Sequence, residues 1–544
     1  MRENTSKLLF FSSLLINFLL PFLVFGVFKD VYYRIYFNSD TLYLASIYKD
    51  VFIDGTGFKG WNLNGAPNFF PDMLIYFTIR SFTGDFRLAY VIFSAVQYNL
   101  LVFLLGSLFR SINSEVNRNY ITFFNLLFPV YLLATIMHGS FQYTFNVFSQ
   151  SYHNGCFINS LIALNFFLRY LTRGKKSSLI GMLVFVFLGT FNDRLFVVTF
   201  VAPIMALWLF NLIWIKKKSI TWSGLLILVI AAASLVTFIR TKRNSIYECI
   251  DLGEKFMNFS NAGTSFKNLV SQHTDFILSA DLRGLVTILT TLSFFVLLFL
   301  FFKIVKQTFW FRQKNENDIY HSLFILFSLG SMFLTLFTPV INGYYLGASC
   351  IRYTTFTFFL GLFNVIFIVY YFTCKNKSVN WQMWISGVTV IFYGVLIVFT
   401  LATKPVAETF KNVINYYPEK VKAVDEFIQK TNLQYGVANY WDAKYTTMFS
   451  KQDARVYTAI NEKLNLWYHV MNSNWYYSHD KGKFKNPEFK FVIFSPEQFK
   501  TTRQLFGEPI DSMQVEKGKY IYSIPEFKYD KSTRQPYSVE KSND

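Results

Sequence analysis

Apolar residues in this chain gather in long continuous runs and do not alternate with polar ones as they would in barrel strands. The runs reach roughly the 20 residues that a helix needs to cross a bilayer core, where a helix satisfies its own backbone polar groups. The pattern predicts an α-helical polytopic membrane protein with about eleven spans, at 8–28, 88–109, 120–137, 156–171, 179–190, 195–215, 222–239, 285–302, 320–338, 354–373 and 381–401. The run at 179–190 is short, and a tilted or half-buried segment is its alternative.

Basic residues in short loops predict the orientation of these spans. The loops at 173–176 and 216–218 each carry three Lys or Arg residues, whereas 138–155 carries none. Because cytoplasmic loops are enriched in Lys and Arg, we expect a cytoplasmic N-terminus. An odd number of spans then places the chain after residue 401 outside the cytoplasm. The membrane itself is expected to be an inner or plasma membrane.

A sharp change of composition after residue 401 predicts a second domain. We expect a transmembrane domain over 1–401, an extracytoplasmic α/β domain over 402–530 and a disordered tail over 531–544. Short apolar runs in the α/β domain predict strands at Tyr435–Ala438, Ala454–Ala459, Phe489–Phe494 and Tyr520–Ile524. Within 1–401, the long first outer loop 29–87 contains two amphipathic stretches, Asp40–Phe52 and Phe69–Phe82. These are expected to lie along the membrane surface as helices.

Composition and missing motifs exclude several function classes. The net charge of +19 is explained by basic cytoplasmic loops, and no segment resembles a nucleic-acid-binding module. The chain has no P-loop, no dinucleotide fingerprint and no G-x-S-x-G motif. It has neither a C-x-x-C pair nor H-x-x-x-H spacing. We therefore predict no cofactor and no metal ligands, although these absences do not exclude a divalent ion.

Asp40, in the first outer loop, is the candidate catalytic residue. It follows Asn38 and Ser39 close to where the first helix leaves the membrane. A carboxylate there can act as a base toward a polar acceptor while a lipid-borne donor enters from the bilayer. The alternative is that Asn38, Ser39 or Asp40 caps the following helix.

Four more charged residues are expected at outer helix ends. Asp72 and Asp193 are candidate supporting acids, and Arg194 and Arg352 are candidate ligands for a donor phosphate. Asp72 could equally be a first-turn helix residue. The Asp193–Arg194 pair could be a self-neutralising turn, and Arg352 could extend its charge to the membrane interface.

Further polar and aromatic residues could line a pocket of sugar size. His153, Tyr344 and Tyr345 are the candidates, with ordinary loop polarity as the alternative. In the C-terminal domain, the stretch Asn439–Asp442 could stack a sugar ring or could pack in the core.

This layout resembles the GT-C class of membrane glycosyltransferases, which includes protein O-mannosyltransferases and aminoarabinose transferases. The likeness lies in the architecture and in the early acid of Asn38-Ser39-Asp40, although Thr41 stands where the class often has a second acid. The resemblance implies that Asp40 is the base or orients the acceptor. It also implies a polyprenyl-phosphate-linked sugar as donor, an inverting mechanism, and a protein, lipid or glycan acceptor.

Two other function classes remain open at this stage. One is a transporter or flippase of lipid-linked saccharide, which would place charges near the bilayer midplane. The predicted helix interiors here are almost free of charge, which favours the transferase. The other is a polymerase or ligase of surface polysaccharide, for which the C-terminal domain has no evident purpose.

Overall fold

A computed structural model describes residues 2–27, 36–113, 116–139, 141–243, 248–249, 259–310, 316–373 and 381–539. It is mostly helical. Among these residues, nine helices are long and apolar enough to cross a membrane: Glu3–Val27, Phe86–Ile112, Arg118–His138, Asn154–Arg173, Lys218–Ile239, Leu282–Lys303, Ile319–Ile341, Ala348–Thr373 and Trp381–Thr403. Two shorter apolar helices are Lys176–Asn192 and Val197–Ile213. All eleven predicted runs are therefore helical, nine of them at spanning length, which is compatible with a multi-pass membrane protein.

Buried polar side chains join neighbouring helices of this bundle. Asn17, in the first helix, donates from Nδ2 to the carbonyl oxygen of Asn125 at 2.6 Å. Its Oδ1 accepts from the hydroxyl of Tyr98 at 2.7 Å. Such hydrogen bonds stabilise helix association inside lipid, where apolar contact alone provides little driving force.

The first outer loop contains two short helices at the positions that its amphipathic stretches predict. The first runs through Tyr43–Tyr48 and continues as a wider turn at Lys49–Ile53. The second comprises a turn at Phe69–Met73 and a helix at Leu74–Thr83. Asp85 then caps the next membrane helix by accepting from two backbone N–H groups.

The C-terminal region folds around a mixed sheet. Its strands lie in the order β4 (Arg455–Thr458), β3 (Tyr435–Ala438), β6 (Phe489–Phe494), β8 (Lys519–Tyr529) and β7 (Asp511–Glu516). β3 is parallel to β4 and β6, and the remaining pairs are antiparallel. The helices of this region are Val406–Ile414, Glu419–Thr431, Tyr440–Phe449 and Pro496–Phe506. The sheet confirms the strands that the sequence predicts here.

The predicted disordered tail, 531–544, is partly ordered in the structure. Residues Pro536–Ser538 form β9, which pairs antiparallel with the end of β8. This pairing gives the backbone of the segment hydrogen-bond partners that a free tail would lack. The last residues, 540–544, lie outside the described part of the chain.

The chain divides into two compact units whose boundaries differ from a single cut at residue 402. The first unit comprises Met1–Lys29, Asn68–Ile239 and Gly253–Phe410. The second comprises Asp30–Pro67, Arg240–Leu252 and Lys411–Asp544. In the second unit, β1 (Trp61–Leu63) pairs with β2 (Glu248–Cys249) and β5 (Met471–Asn472). Half of the first outer loop thus folds together with the C-terminal sheet.

Candidate functional site

Two predicted residues of the first unit, His153 and Asp193, form a partly buried contact. Nδ1 of His153 lies 2.6 Å from Oδ2 of Asp193. The other carboxylate oxygen of Asp193 accepts from the backbone N–H of Leu195 at 2.9 Å. Among the described residues, Nε2 of His153 takes part in no hydrogen bond, so this nitrogen can meet a substrate. A carboxylate that holds an imidazole in this way fixes the orientation of the ring.

Asp72 is buried beside this pair. Its side chain is 1% exposed, and its Oδ2 has no hydrogen-bond partner among the described residues. Burial, with a smaller contribution from the negative charge of Asp193, raises the pKa of Asp72 to about 7. A carboxyl group with such a pKa can accept or donate a proton near neutral pH.

Gly155 allows Asp72 to approach the start of the helix Asn154–Arg173. A Cβ atom at position 155 would overlap Oδ2 of Asp72. The helix N-terminus carries unpaired N–H groups and a partial positive charge. Any residue other than glycine would therefore displace the carboxylate from this position.

The loop that carries His153 has a strained backbone. Ser151 and His153 both adopt positive φ values, 60° and 64°, a region that non-glycine residues seldom occupy. Asn154 supports the loop by donating from Nδ2 to the carbonyl oxygen of Asn146 at 2.6 Å. Conformations of this kind persist where the surroundings enforce them, and they are frequent at functional sites.

Arg352 and His153 share an aromatic neighbour, Tyr353. Its guanidinium carbon is 5.4 Å from the ring of Tyr152 and 5.3 Å from that of Tyr353. The ring of Tyr353 is also 5.4 Å from that of His153. We call Asp72, His153, Asp193 and Arg352 the polar cluster. It contains four of the predicted residues: two acids, one histidine and one arginine.

An apolar groove of about 470 Å³ lies among the apolar helices of the same unit. Side chains such as Phe266, Phe294, Leu336 and Phe358 line it, and Phe266 is 51% exposed. One wall is Tyr143, whose hydroxyl lies 3.2 Å from Nε2 of His273. Burial lowers the pKa of His273, which is the one ionisable side chain besides tyrosine among the described residues that line the groove.

The groove and the polar cluster meet at one short segment, the 3₁₀ turn Ala348–Thr354. At its end, the hydroxyl of Thr354 lies 3.2 Å from that of Tyr143, which belongs to the groove wall. The two preceding residues, Arg352 and Tyr353, contact Tyr152 and His153. An apolar chain in the groove could therefore place a charged head group at the polar cluster.

Three further predicted residues lie outside the polar cluster. Arg194 is exposed, and its guanidinium carbon is 5.4 Å from the ring of Phe238. Tyr344 is 41% exposed. Tyr345 is buried, and its hydroxyl donates to Oε1 of Gln272. Tyr345 thus acts in packing beside the helix Ala262–Ile277.

Asp40 belongs to the second unit, where it contacts the C-terminal domain. Its Oδ1 accepts from the hydroxyl of Tyr440 at 2.6 Å. The neighbouring Asn38 accepts the backbone N–H groups of Asp40 and Thr41 at 3.0 Å each. Asn38 therefore supplies the side-chain acceptor for the turn before the helix Tyr43–Tyr48. The carboxylate of Asp40 contacts Tyr440 instead.

Two basic side chains near Asp40 have strongly lowered pKa values. Burial lowers the pKa of Lys444 to about 7, although the negative charge of Asp40 opposes the change. Burial and the charge of Lys444 together lower the pKa of His469 to about 4. The surroundings of Asp40 thus contain a neutral imidazole and an amine that titrates near neutral pH.

Several residues of these two sites give no signal in the sequence. Gly155, Tyr353, Lys444 and His469 stand in no recognisable motif, and each acquires its neighbours through contacts distant along the chain. The polar loop 138–155 indicates a pocket but not the pairing of His153 with Asp193. Among the described residues, no group of three His, Cys, Asp or Glu side chains is placed to hold a metal ion.

Neither a known protein family nor a curated protein matches this chain in sequence. Its function is therefore inferred from the chemistry of the two sites.

Proposed function

We propose that this chain is a membrane glycosyltransferase that takes its sugar from a polyprenyl-phosphate donor. The observation that carries the proposal is the junction of the apolar groove with the polar cluster at Ala348–Thr354. A lipid-linked sugar has a long apolar chain, an anionic phosphate and a polar sugar, in that order. The groove, Arg352 and the buried carboxylates offer matching surroundings in the same order.

Arg352 and His153 are the proposed ligands of the donor phosphate. A guanidinium makes charge-assisted hydrogen bonds to phosphate oxygens, and the ring of His153 lies close to Tyr353, an aromatic neighbour of Arg352 as well. Transfer of the sugar breaks its bond to the phosphate oxygen, and negative charge develops on that oxygen. Fixed cations stabilise such charge without needing to reorganise during the reaction.

Asp40 is the proposed base that removes a proton from the acceptor hydroxyl. Tyr440 donates to one of its oxygens and so holds the carboxylate in one orientation. The acceptor oxygen, once deprotonated, attacks the anomeric carbon from the side opposite the departing phosphate. The product therefore has inverted anomeric configuration.

We place this chemistry on the outer side of the membrane with a cytoplasmic N-terminus and eleven spans, because of the basic loops at 173–176 and 216–218. Polyprenyl carriers deliver sugars within the membrane plane to a side where soluble nucleotide sugars are scarce. A reporter that works only outside the cytoplasm is expected to be active when fused after residue 402 and silent at Lys217. The reverse pattern would contradict this orientation.

The test of the transferase is sugar transfer by purified full-length protein. Polyprenyl phosphates carrying radiolabelled hexoses serve as donors, and a delipidated membrane extract and short oligosaccharides serve as acceptors. Asp40→Asn keeps the acceptor oxygen for Tyr440 but removes the base, so turnover should fall roughly 10²–10⁴-fold. Arg352→Gln should mainly raise the KM for the donor, roughly ten- to a hundredfold.

Arg194→Gln is the matched control for Arg352→Gln. Arg194 contacts Phe238 rather than the polar cluster, so its loss should leave the KM for the donor nearly unchanged. Full activity of Asp40→Asn would return Asp40 to a structural role. Equal effects of the two arginine variants would remove the polar cluster from the donor site.

A further inference from the structure

Four aromatic rings pack against one another in the second unit. The ring of Tyr440 lies 5.1 Å from that of Trp441, 5.6 Å from Trp467 and 5.1 Å from His469. Trp467 stacks on His469 at 4.4 Å with an angle of 11° between the planes. We call these four residues the aromatic platform.

The two indoles of the platform are exposed although a folded domain would gain by burying them. Trp441 is 57% exposed and Trp467 is 37% exposed, whereas Trp61 of the same unit is fully buried. Each exposed indole leaves a large apolar surface in contact with solvent. Exposed aromatic rings that share a neighbour, as these two share Tyr440, are typical of binding surfaces.

The segment that carries Trp467 and His469 is held in a strained conformation. Leu464 and Val470 flank these two residues with φ values of 61° and 55°. A positive φ is a rare state for a β-branched residue such as Val470. Its persistence indicates that surrounding contacts enforce the position of the two rings.

Polar groups surround the rings of the platform. The Tyr440 hydroxyl donates to Asp40, and Nζ of Lys444 donates to the carbonyl oxygen of Ser39 at 3.1 Å. Nδ1 of His469 is buried and has no hydrogen-bond partner among the described residues. Flat apolar faces beside carboxylate, hydroxyl and imidazole groups match a pyranose ring, which has an apolar C–H face and hydroxyl groups around its edge.

We propose that the aromatic platform binds a saccharide chain, which is the acceptor of the transferase. This inference rests on the proposed function and names the class of its second substrate. A saccharide stacked on Trp441 and Trp467 would bring a hydroxyl group toward Asp40, which is linked to the platform through Tyr440. A membrane surface is a poorer fit, because its apolar region would desolvate the carboxylate beside the rings.

Saccharide binding can be measured without any donor. The full-length protein in nanodiscs is mixed with chitohexaose, maltohexaose or mannohexaose, and saturation-transfer difference NMR detects which sugar protons contact the protein. At least one of the three should show saturation of its ring C–H protons. Trp441→Ala and Trp467→Ala should each weaken that binding roughly three- to tenfold, and Trp441→Phe, which keeps a ring, should restore most of it.

Tyr537→Ala is the matched control, since Tyr537 is a 50% exposed aromatic residue of the same unit outside the platform. It should leave saccharide binding unchanged. Absence of signal from all three saccharides, or wild-type binding by the Trp441→Ala Trp467→Ala variant, would overturn the proposal. Stronger quenching of wild type than of that variant by brominated phosphatidylcholine would assign the rings to the membrane and also overturn it.

The result separates this inference from the transferase itself. Saccharide binding that depends on the platform, without sugar transfer from any donor, would refute the transferase and keep the binding surface. Transfer that is unaffected by loss of both indoles would refute the platform and keep the transferase.

Discussion

Asp72 is a buried carboxyl group whose protonation is coupled to folding. Its pKa is raised from 3.8 to about 7, so the folded protein holds this proton more tightly than the unfolded chain does. The stability that the bound proton contributes is fully present below pH 3.8. It is lost as the pH rises toward about 7, and above this value it stays constant because both states are ionised.

Asp72→Asn removes this titration while preserving the shape of the side chain. The unfolding free energy of the variant relative to wild type should rise between pH 5 and 7, by no more than about 1.4 kcal/mol per pH unit, and then level off. The difference in melting temperature between the two proteins should follow the same course. Scanning fluorimetry of the full-length protein across this range measures the difference. Asp442→Asn is the control, since the lowered pKa of Asp442 leaves it ionised throughout. If the difference in melting temperature between Asp72→Asn and wild type does not vary with pH, the raised pKa of Asp72 is contradicted.

At the residue scale, the sequence predicts the chemistry of single side chains better than their partners. The sequence leaves open whether Asn38, Ser39 or Asp40 caps the following helix. In the structure that helix has no side-chain cap, and Asn38 instead accepts hydrogen bonds within the preceding turn. The hydroxyl that contacts Asp40 belongs to Tyr440, 400 positions later. Local patterns predict caps and helices, whereas a contact of such long range depends on the whole fold.

A buried ion pair joins two elements of the second unit. Arg455, on β4, donates to both carboxylate oxygens of Asp54, at 2.6 and 3.1 Å, and both side chains are 4% exposed. Lys49 lies 3.3 Å from the same carboxylate. The first outer loop is thereby attached to the C-terminal sheet through charges that water cannot easily screen.

Arg455→Met leaves the carboxylate of Asp54 buried with one cation fewer. Loss of one partner of a buried pair costs about 3–5 kcal/mol, and Lys49 should keep the cost near the lower limit. The melting temperature of the full-length protein should therefore fall clearly. Arg503→Met, which removes an exposed arginine paired with Glu508, should cost less than about 1 kcal/mol. Similar effects of the two variants would mean that the buried pair does not stabilise the attachment.

At the element scale, hydrophobic period and length predict most of the fold. All eleven apolar runs are helices, and strands β3 and β6 match their predicted bounds, Tyr435–Ala438 and Phe489–Phe494. The runs at 179–190 and 195–215 correspond to the helices that fall short of spanning length. Short apolar length is visible in a sequence, but whether such a helix spans depends on tilt and neighbours.

For the whole molecule, the feature hardest to predict from the sequence is which segments of the chain make up each unit. A change of composition near residue 402 indicates a second domain, yet residues 36–67 also belong to that unit. They are joined to it by buried polar contacts, such as Asp50 Oδ2 with Trp61 and Asn472 at 2.8 and 2.7 Å. In the sequence, these residues are polar or aromatic and stand in a predicted outer loop. Their pattern therefore predicts a helix at the membrane surface and gives no sign of pairing with the C-terminal region.

The most direct test of the account is a structure of the full-length protein in nanodiscs with bound polyprenyl phosphate. The account predicts density for the phosphate within hydrogen-bonding distance of Arg352, beside His153, and density for the isoprenoid chain along the groove lined by Phe294 and Leu336. Arg352→Gln should reduce the occupancy of the phosphate under the same conditions. A phosphate bound away from the polar cluster, or a chain bound outside the groove, would contradict the proposed donor site.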